Sequence, residues 1–508
     1  MLIGNLGSTR RAEVGSAGLL LLPEGTTIEW WVRSGDRWHV PSTDVTTRDW
    51  LLDNAPVLSS AVRVPGGDVT GQVYATVQGP REVVSIELAN STAAPLAAAL
   101  VVRSGSGRPL RVEGTTIFEG DRPVAYLPTV PSDVIAGPLK PLIADSDINR
   151  TAVSPSPLST ESTEVAFVVP LLHRSSVRFA ALLGVASALG TASVPVLSAL
   201  PDPAMVARGW GLQAGNVARI DGDQRCDNAV RALATAMLLY ADGAPGRRWS
   251  ERAAIARGLA RIGAHDEALR ALEGIDDAQF RNGSLGDDGN VVVTAEVLSA
   301  VVTVGRHLSG AAFAQSMIPL VAGALEFLQR SARRDATTVA AHSGVFLAAS
   351  RMLERVGEQR AARTAQQVWS QLGASWPLAR SLEPTLPAIT SGAALVPGDP
   401  QRLANAVVSS IDALVTETAD GSIDLLSGWT ADELAGVALA VHQVDTAYGP
   451  VSAAIRWHGA RPALLWDVQC APADRVTVRC SVLDPSWSSQ LPVGESLLAA
   501  PTVNRREP

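Results

Sequence analysis

The apolar residues of this chain change their spacing near Pro203, and that switch limits what it can fold into. From Leu19 to about Leu182, short β-rich runs alternate with turn residues. Thr27-Ile-Glu-Trp-Trp-Val32 precedes Ser34-Gly-Asp36, and Val83-Val-Ser-Ile-Glu-Leu88 precedes Asn90-Ser91. Strand-forming residues broken at short intervals by Gly, Asn and Asp mark an antiparallel sandwich. Its last strands are expected at 164–169 and 176–181. After Pro201-Asp-Pro203 the apolar residues recur at helical spacing: Val230, Leu233, Ala234, Met237 and Leu238, then Ala254, Ile255, Leu259 and Ile262, then Leu269 and Leu272.

Further helices are predicted over 291–306, 309–330, 336–355 and 358–373, with Gly263, Gly305 and Gly357 at or near helix ends, where a C-cap glycine belongs. A Pro, Ser and Gly-rich connector spans Trp376 to Pro400, and one more helix runs from Leu403 to Val415. Strands at 451–457, 463–468 and 475–479 close the chain. The expected fold class is multidomain α+β: an N-terminal β-sandwich over 1–202, a central domain of α-helical hairpins over 203–416 and a small C-terminal β-domain over 417–508. A length of 508 residues accommodates that division at roughly 100–200 residues per domain.

Composition narrows the function classes. Hydrophobic residues are 46% and charged residues 18%, the balance of a folded globular chain. The net charge is −8 with basic residues scattered, which argues against a nucleic-acid partner. Lys140 is the sole lysine, and the Ala, Arg, Val and Gly-rich wording is that of a GC-rich, actinobacterial-type genome. Cys226, Cys470 and Cys480 form no CxxC pair or disulfide framework, so a reducing, cytoplasmic location is expected. Met1 to Gly15 shows no secretory pattern. The uncharged stretch Phe179 to Leu200 is diluted by Gly, Ser, Thr and Pro195, so it reads as strand, turn and linker rather than a membrane span.

HExxH, His-Cys clusters, GxSxG, GxxxxGK[ST] and a helix-opening GxGxxG are all absent from the sequence, which sets aside zinc-protease, α/β-hydrolase, P-loop and Rossmann chemistry. No metal and no cofactor are expected. Cys226, between Arg225 and Asp227 near a helix start, occupies a place that can lower a thiol pKa, although a structural role is the commoner one.

The order of sandwich, paired helices and small β-domain resembles the six-hairpin, α/α-toroid glycosidase-like proteins, the group of glucoamylases and bacterial glycogen-debranching relatives. The phrases that carry the resemblance are Ile86-Glu-Leu-Ala-Asn-Ser-Thr-Ala-Ala-Pro95, Val206-Ala-Arg-Gly-Trp210, Arg281-Asn-Gly-Ser284, Tyr448-Gly-Pro-Val-Ser452 and Arg456-Trp-His-Gly-Ala-Arg-Pro-Ala-Leu-Leu-Trp466. The last two are similar to the terminal β-domain of uncharacterised actinobacterial members. The resemblance implies a glycoside hydrolase-like protein acting on or binding an α-glucan or similar oligosaccharide. Two departures stand against full activity. A complete toroid needs six helix pairs and 203–415 supplies about four, and the place of the expected catalytic glutamate reads Ser331-Ala-Arg-Arg-Asp-Ala-Thr-Thr338. The alternative is therefore a catalytically inactive scaffold that binds carbohydrate or a protein partner.

Glycoside hydrolysis by inversion needs two carboxylates, one to protonate the leaving oxygen and one to activate water. Asp288 and Asp335 are the selected catalytic pair; Asp287, Glu296, Glu417, Asp420 and Asp424 are further candidates. Asp before a helix is also the ordinary N-cap choice, the competing role for Asp287, Asp288 and Asp335. Trp429, Trp457 and His458 are the substrate-binding candidates, since flat aromatic faces suit sugar rings. Trp30, Trp31, Trp38, Trp50 and Trp487 share that chemistry, with a core role the commoner one for a strand tryptophan.

Overall fold

The computed structural model describes residues 1–139, 158–159, 161–183, 196–372, 399–470 and 476–500, apart from Asp36, Pro80 and Ser309. Of the expected 376–400 connector, residues 376–398 lie outside the described residues, and Pro400 already opens a helix. The chain is mixed α+β, and its described residues divide into two compact units, one up to Gln213 and the other from Ala214 onward.

The first unit holds an eight-stranded and a nine-stranded sheet. In the first sheet, Leu96–Arg103 pairs antiparallel with Thr27–Ser34 on one side and Glu164–Leu171 on the other. In the second, Arg81–Asn90 lies between Gly67–Gln78 and Ser176–Leu182, again antiparallel. Alternation sets the two faces: Ile28, Trp30 and Val32 enter one core with Val84, Ile86, Leu88 and Phe167, whereas Trp31 points the other way onto Trp38, Val40 and Leu139. Trp30, Trp31 and Trp38 are thus core residues rather than sugar platforms. Gly71 is required opposite Trp30, because a Cβ there would overlap the indole. Helix α1 (Pro203–Gln213) opens at the proline where the apolar spacing changes, and it belongs to this first unit.

The second unit packs helices in two layers. Its helices are α2 (Gln224–Ala241), α3 (Trp249–Arg261), α4 (His265–Ala271), α5 (Val291–His307), α6 (Ala312–Ser316), α7 (Ile318–Ala332), α8 (Ala336–Ala341), α9 (Gly344–Arg355), α10 (Gln359–Gln371), α11 (Pro400–Leu414) and α12 (Ala431–Leu434). Helix α3 packs between α5 and α11, and α9 packs beside α5; α2, α4, α7 and α10 pack against this row. The helix expected over 309–330 is broken at Met317, where Pro319 sits in the first turn of α7, a place that tolerates its missing N–H. The helix expected over 336–355 is likewise two, α8 and α9. Gly263 and Gly357 follow helices with φ +77° and +87°, as C-cap glycines do. Gly305 instead lies inside α5, where its missing side chain makes room for the Met352 sulfur of α9.

The strands of this unit form two sheets. Arg219–Asp221 joins Leu439–Val444, Val451–His458, Arg461–Val468 and Val493–Leu497 in an antiparallel sheet. Val415–Glu417, Ile423–Leu425, Val478–Cys480 and Asp484–Ser489 form the other. Pairing of Arg219–Asp221 with Leu439–Val444 ties the start of the helical segment to the C-terminal sheet within one unit. Among the described residues no helix is long and apolar enough to cross a membrane.

Candidate functional site

Helix α3 reads Trp-Ser-Glu-Arg-Ala-Ala-Ile-Ala-Arg-Gly-Leu-Ala-Arg. From Arg252 to Arg261 every residue is buried except Arg257. Small alanines and Gly258 let α2 and α11 approach closely; a Cβ on Gly258 would meet the Met237 sulfur and Ala404. Arg257 therefore marks the free face of a helix packed on its other sides. On α5 the half-buried residues Glu296, Ser299 and Thr303 recur at helical spacing, and on α11 the half-buried Gln401, Val408 and Asp412 do the same, with the exposed Asn405 on the same face.

The Arg257 guanidinium donates to Asn405 Oδ1 at 3.5 Å, and its Nε is buried with no partner. Burial pulls it below the ordinary arginine pKa, against the charges of Glu296 and Asp412. No carboxylate is within ion-pair distance of it among the described residues, which is unusual for a group so costly to desolvate. Asp412, its side chain 30% exposed, pairs with Arg261 Nη2 at 2.6 Å. Burial and the negative charge of Glu417 push the Asp412 carboxyl up, against the pull of Arg261. The arrangement is thus a cation between two carboxylates from different helices, with an amide beside it: donors and acceptors suited to a polyhydroxylated ligand.

A second cluster adjoins the C-terminal ends of α3, α5 and α11. Glu417 is ion-paired with Arg306 and accepts from Ala447 N at 3.0 Å. Burial alone would raise its carboxyl; Arg306, His307, the Ala447 N–H and Arg261 outweigh that and hold it at about 2. Asp445 Oδ2 lies 3.2 Å from His265 Nε2 and 2.5 Å from His307 Nδ1. Arg261 Nη1 donates to the Asp445 carbonyl at 2.8 Å, which links the two clusters.

The residues selected from sequence are placed as follows. Asp288 is exposed in the turn before α5 and has no hydrogen-bond or ion-pair partner among the described residues. The cap of α5 is Asn290, whose side chain accepts from Val293 N at 2.9 Å; Asp287 reaches back to Trp249 N at 2.7 Å and serves the start of α3 instead. Asp335 is the N-cap of α8, accepting from Thr338 N at 3.0 Å. Asp420 is held among Thr418, Ser422 and Arg479, and Asp424 accepts from Ser481 N. Trp429 is half-buried and follows Gly428, whose N–H donates to Ala413 O at 2.8 Å. A Cβ on Gly428 would overlap Ala413, so the chain before Trp429 lies directly on the last turn of α11, next to Asp412. Trp457 is half-buried and donates to Val437 O at 3.0 Å, and His458 is exposed at a hairpin end. Cys226 donates to Asp223 Oδ2, and burial together with that carboxylate raises its thiol pKa, the opposite of an activated nucleophile.

Arg257 and Asp412 were missed by the sequence reading. The visible signal was the arginine pair Arg257 and Arg261, one turn apart on an otherwise Ala-rich buried helix.

No family model matches the chain, and no curated protein matches it. Glycoside hydrolases are among the solved structures that match. A bacterial glucoamylase complexed with acarbose is 10% identical, covering 73% of this chain and 69% of its own, with a TM-score of 0.46. An α-L-rhamnosidase from Dictyoglumus thermophilum is 10% identical over 85% of this chain and 58% of its own, with a TM-score of 0.38. A polysaccharide lyase covers 84% of this chain and 94% of its own at 9% identity, with a TM-score of 0.20. All three scores lie below the level at which two chains share a fold, so they carry no functional weight.

Proposed function

We propose that the second unit binds a neutral oligosaccharide of the α-glucan kind along the free face of α3, α5 and α11, as a glycoside hydrolase-like protein. The observation that carries this reading is Arg257: a half-buried guanidinium whose Nε is buried and unpartnered, flanked by Glu296, Asn405 and Asp412. A ligand hydroxyl would complete its hydrogen bonding, and the two acids would accept from neighbouring hydroxyls. Trp429, beside the end of α11, is the stacking surface in this reading. The two-layered row of helices supports its description as a sector of an α/α toroid.

If the chain hydrolyses its ligand, Asp412 is the proton donor and Glu296 the base or nucleophile, because they come from different helices on either side of α3 and so could flank a glycosidic bond. Asp288 and Asp335 have weaker support, being exposed and, for Asp335, engaged in a cap. The second reading, a binder without turnover, is favoured by one specific contact: Arg261 already holds Asp412 at 2.6 Å.

Thermal stabilisation and reducing-sugar release on a panel of soluble oligosaccharides test both readings. Stabilisation that Arg257→Gln removes supports binding at this face. Release that Asp412→Asn and Glu296→Gln abolish, while Asp288→Asn and Asp335→Asn spare it, supports hydrolysis there. Stabilisation without release supports the binder, and stabilisation that Arg257→Gln leaves intact overturns the site.

A further inference from the structure

We infer that His265, His307 and Asp445 form a site for a divalent transition-metal ion of the Zn²⁺ class. One donor atom from each lies within 4.8 Å of the others. They come from three separate segments: His265 opens α4, His307 closes α5, and Asp445 follows the strand Leu439–Val444. The Asp445 Oδ2 separations, 3.2 Å to His265 and 2.5 Å to His307, are both shorter than the spacing of about 3.4 Å expected between ligands around a tetrahedral ion with bonds near 2.1 Å, so the three side chains would move slightly apart to admit the ion. Two imidazoles and one carboxylate suit Zn²⁺ or its first-row neighbours; Ca²⁺ and Mg²⁺ prefer all-oxygen shells.

The surroundings fix the ligands in place, as supporting contacts of metal sites do. A register shift interrupts the sheet between Val441 and Val444, and Gln443 there has φ +56°. This bulge re-aims the chain so that Asp445 turns toward the helices. The following loop is pinned from several sides. Arg261 holds the Asp445 carbonyl and Arg355 the Ala447 carbonyl; the Ala447 N–H donates to Glu417, and Thr446 Oγ1 donates to Gly449 O at 2.6 Å. Arg261 pairs with Asp412, and Arg306 and Arg351 share Glu417. Asp445 is left as the carboxylate facing two imidazoles.

The side chains of His307 and Asp445 are 4% and 11% exposed, and that of His265 is 30% exposed. The fourth coordination position therefore opens on the His265 side, toward solvent, where a water or a ligand hydroxyl can bind. This inference does not depend on the oligosaccharide reading. No spacing motif announces the site, because its ligands are 42 and 138 residues apart, the differences of 307 and 265 and of 445 and 307.

The test uses the untagged full chain, stripped with a chelator and dialysed. Zn²⁺ binding is measured by calorimetry, and Co²⁺ binding by its visible absorption. The expected result is one equivalent of either ion, with binding more than about 100-fold weaker in His265→Ala and in Asp445→Asn and unchanged in His442→Ala. Circular dichroism of each metal-free variant checks folding; should Asp445→Asn unfold, His265→Ala at the solvent edge decides alone. No stoichiometric uptake by the wild-type chain, unaltered uptake by His265→Ala, or loss of uptake in His442→Ala would each overturn the assignment.

Discussion

Replacing Glu119 with Gln should remove about 3 kcal/mol from the stability of the first unit at pH 7, and the loss should shrink as the solution is acidified. The Glu119 side chain is 1% exposed. One carboxylate oxygen accepts from Ser104 Oγ at 2.5 Å, Ser106 N at 3.0 Å and Ser106 Oγ at 2.9 Å; the other accepts from Thr26 Oγ1 at 2.8 Å and pairs with Arg122. Burial alone would raise the carboxyl, but these donors outweigh it and lower it from 4.5 to about 2. At about 1.4 kcal/mol per pH unit, that drop corresponds to roughly 3 kcal/mol in favour of the folded charged form. The amide reaches a similar figure by a separate route. A Gln nitrogen cannot accept, so whichever side it faces leaves one obligatory donor unmatched, the Ser106 N–H or the Arg122 guanidinium, at about 1–3 kcal/mol, while the hydroxyls can turn to accept.

The sign follows from a folded pKa below the unfolded one. The contribution is complete above pH 4.5 and is lost as pH falls from 4.5 through about 2. Urea titrations at pH 7 and pH 3, read by hydrogen exchange in the strand Leu96–Arg103, confine the measurement to the first unit. A difference between wild type and variant below about 1 kcal/mol at pH 7, or one equally large at both pH values, would refute the reasoning.

Three further outcomes are expected. Asp335→Asn should stay within about 0.5 kcal/mol of wild type because asparagine also caps, whereas Asp335→Ala should cost about 1 kcal/mol in thermal unfolding. Gly222→Ala should destabilise the second unit by more than about 2 kcal/mol, since φ is +99° and a Cβ would strike the Ala438 carbonyl; thermal unfolding reads this directly. Alkylation by iodoacetamide at pH 8, followed by mass spectrometry, should label Cys470 at least about tenfold faster than Cys226 or Cys480, because the latter two are buried with raised thiol pKa values.

The sequence carried the local features well. The strand at 164–169, the helix at 291–306 and the cap of Asp335 follow from residue spacing within a few positions of one another, and each is where its pattern put it. Breaks inside long apolar runs were less legible. The Met317 interruption depends on Pro319 sitting in a first turn, which reads equally well as tolerated or disruptive before the helix register is known. The candidate site was hardest, for a physical reason. Arg257, Glu296, Asn405 and Asp412 come from three helices whose order in the row, α11 beside α3, reverses their distance in sequence. A polar residue on an apolar helix is visible in one dimension; which other helix it faces is not. The same holds for His265, His307 and Asp445, brought together by a bulge that no short pattern encodes.

The central claim is that a sugar chain lies on the free face of α3, α5 and α11. Hydrogen exchange with and without a malto-oligosaccharide tests it most directly. The account predicts ligand protection concentrated in peptides spanning 250–261, 292–303 and 401–412, and its disappearance in Arg257→Gln. Protection confined to the sandwich of the first unit, or identical protection in the variant, would contradict it.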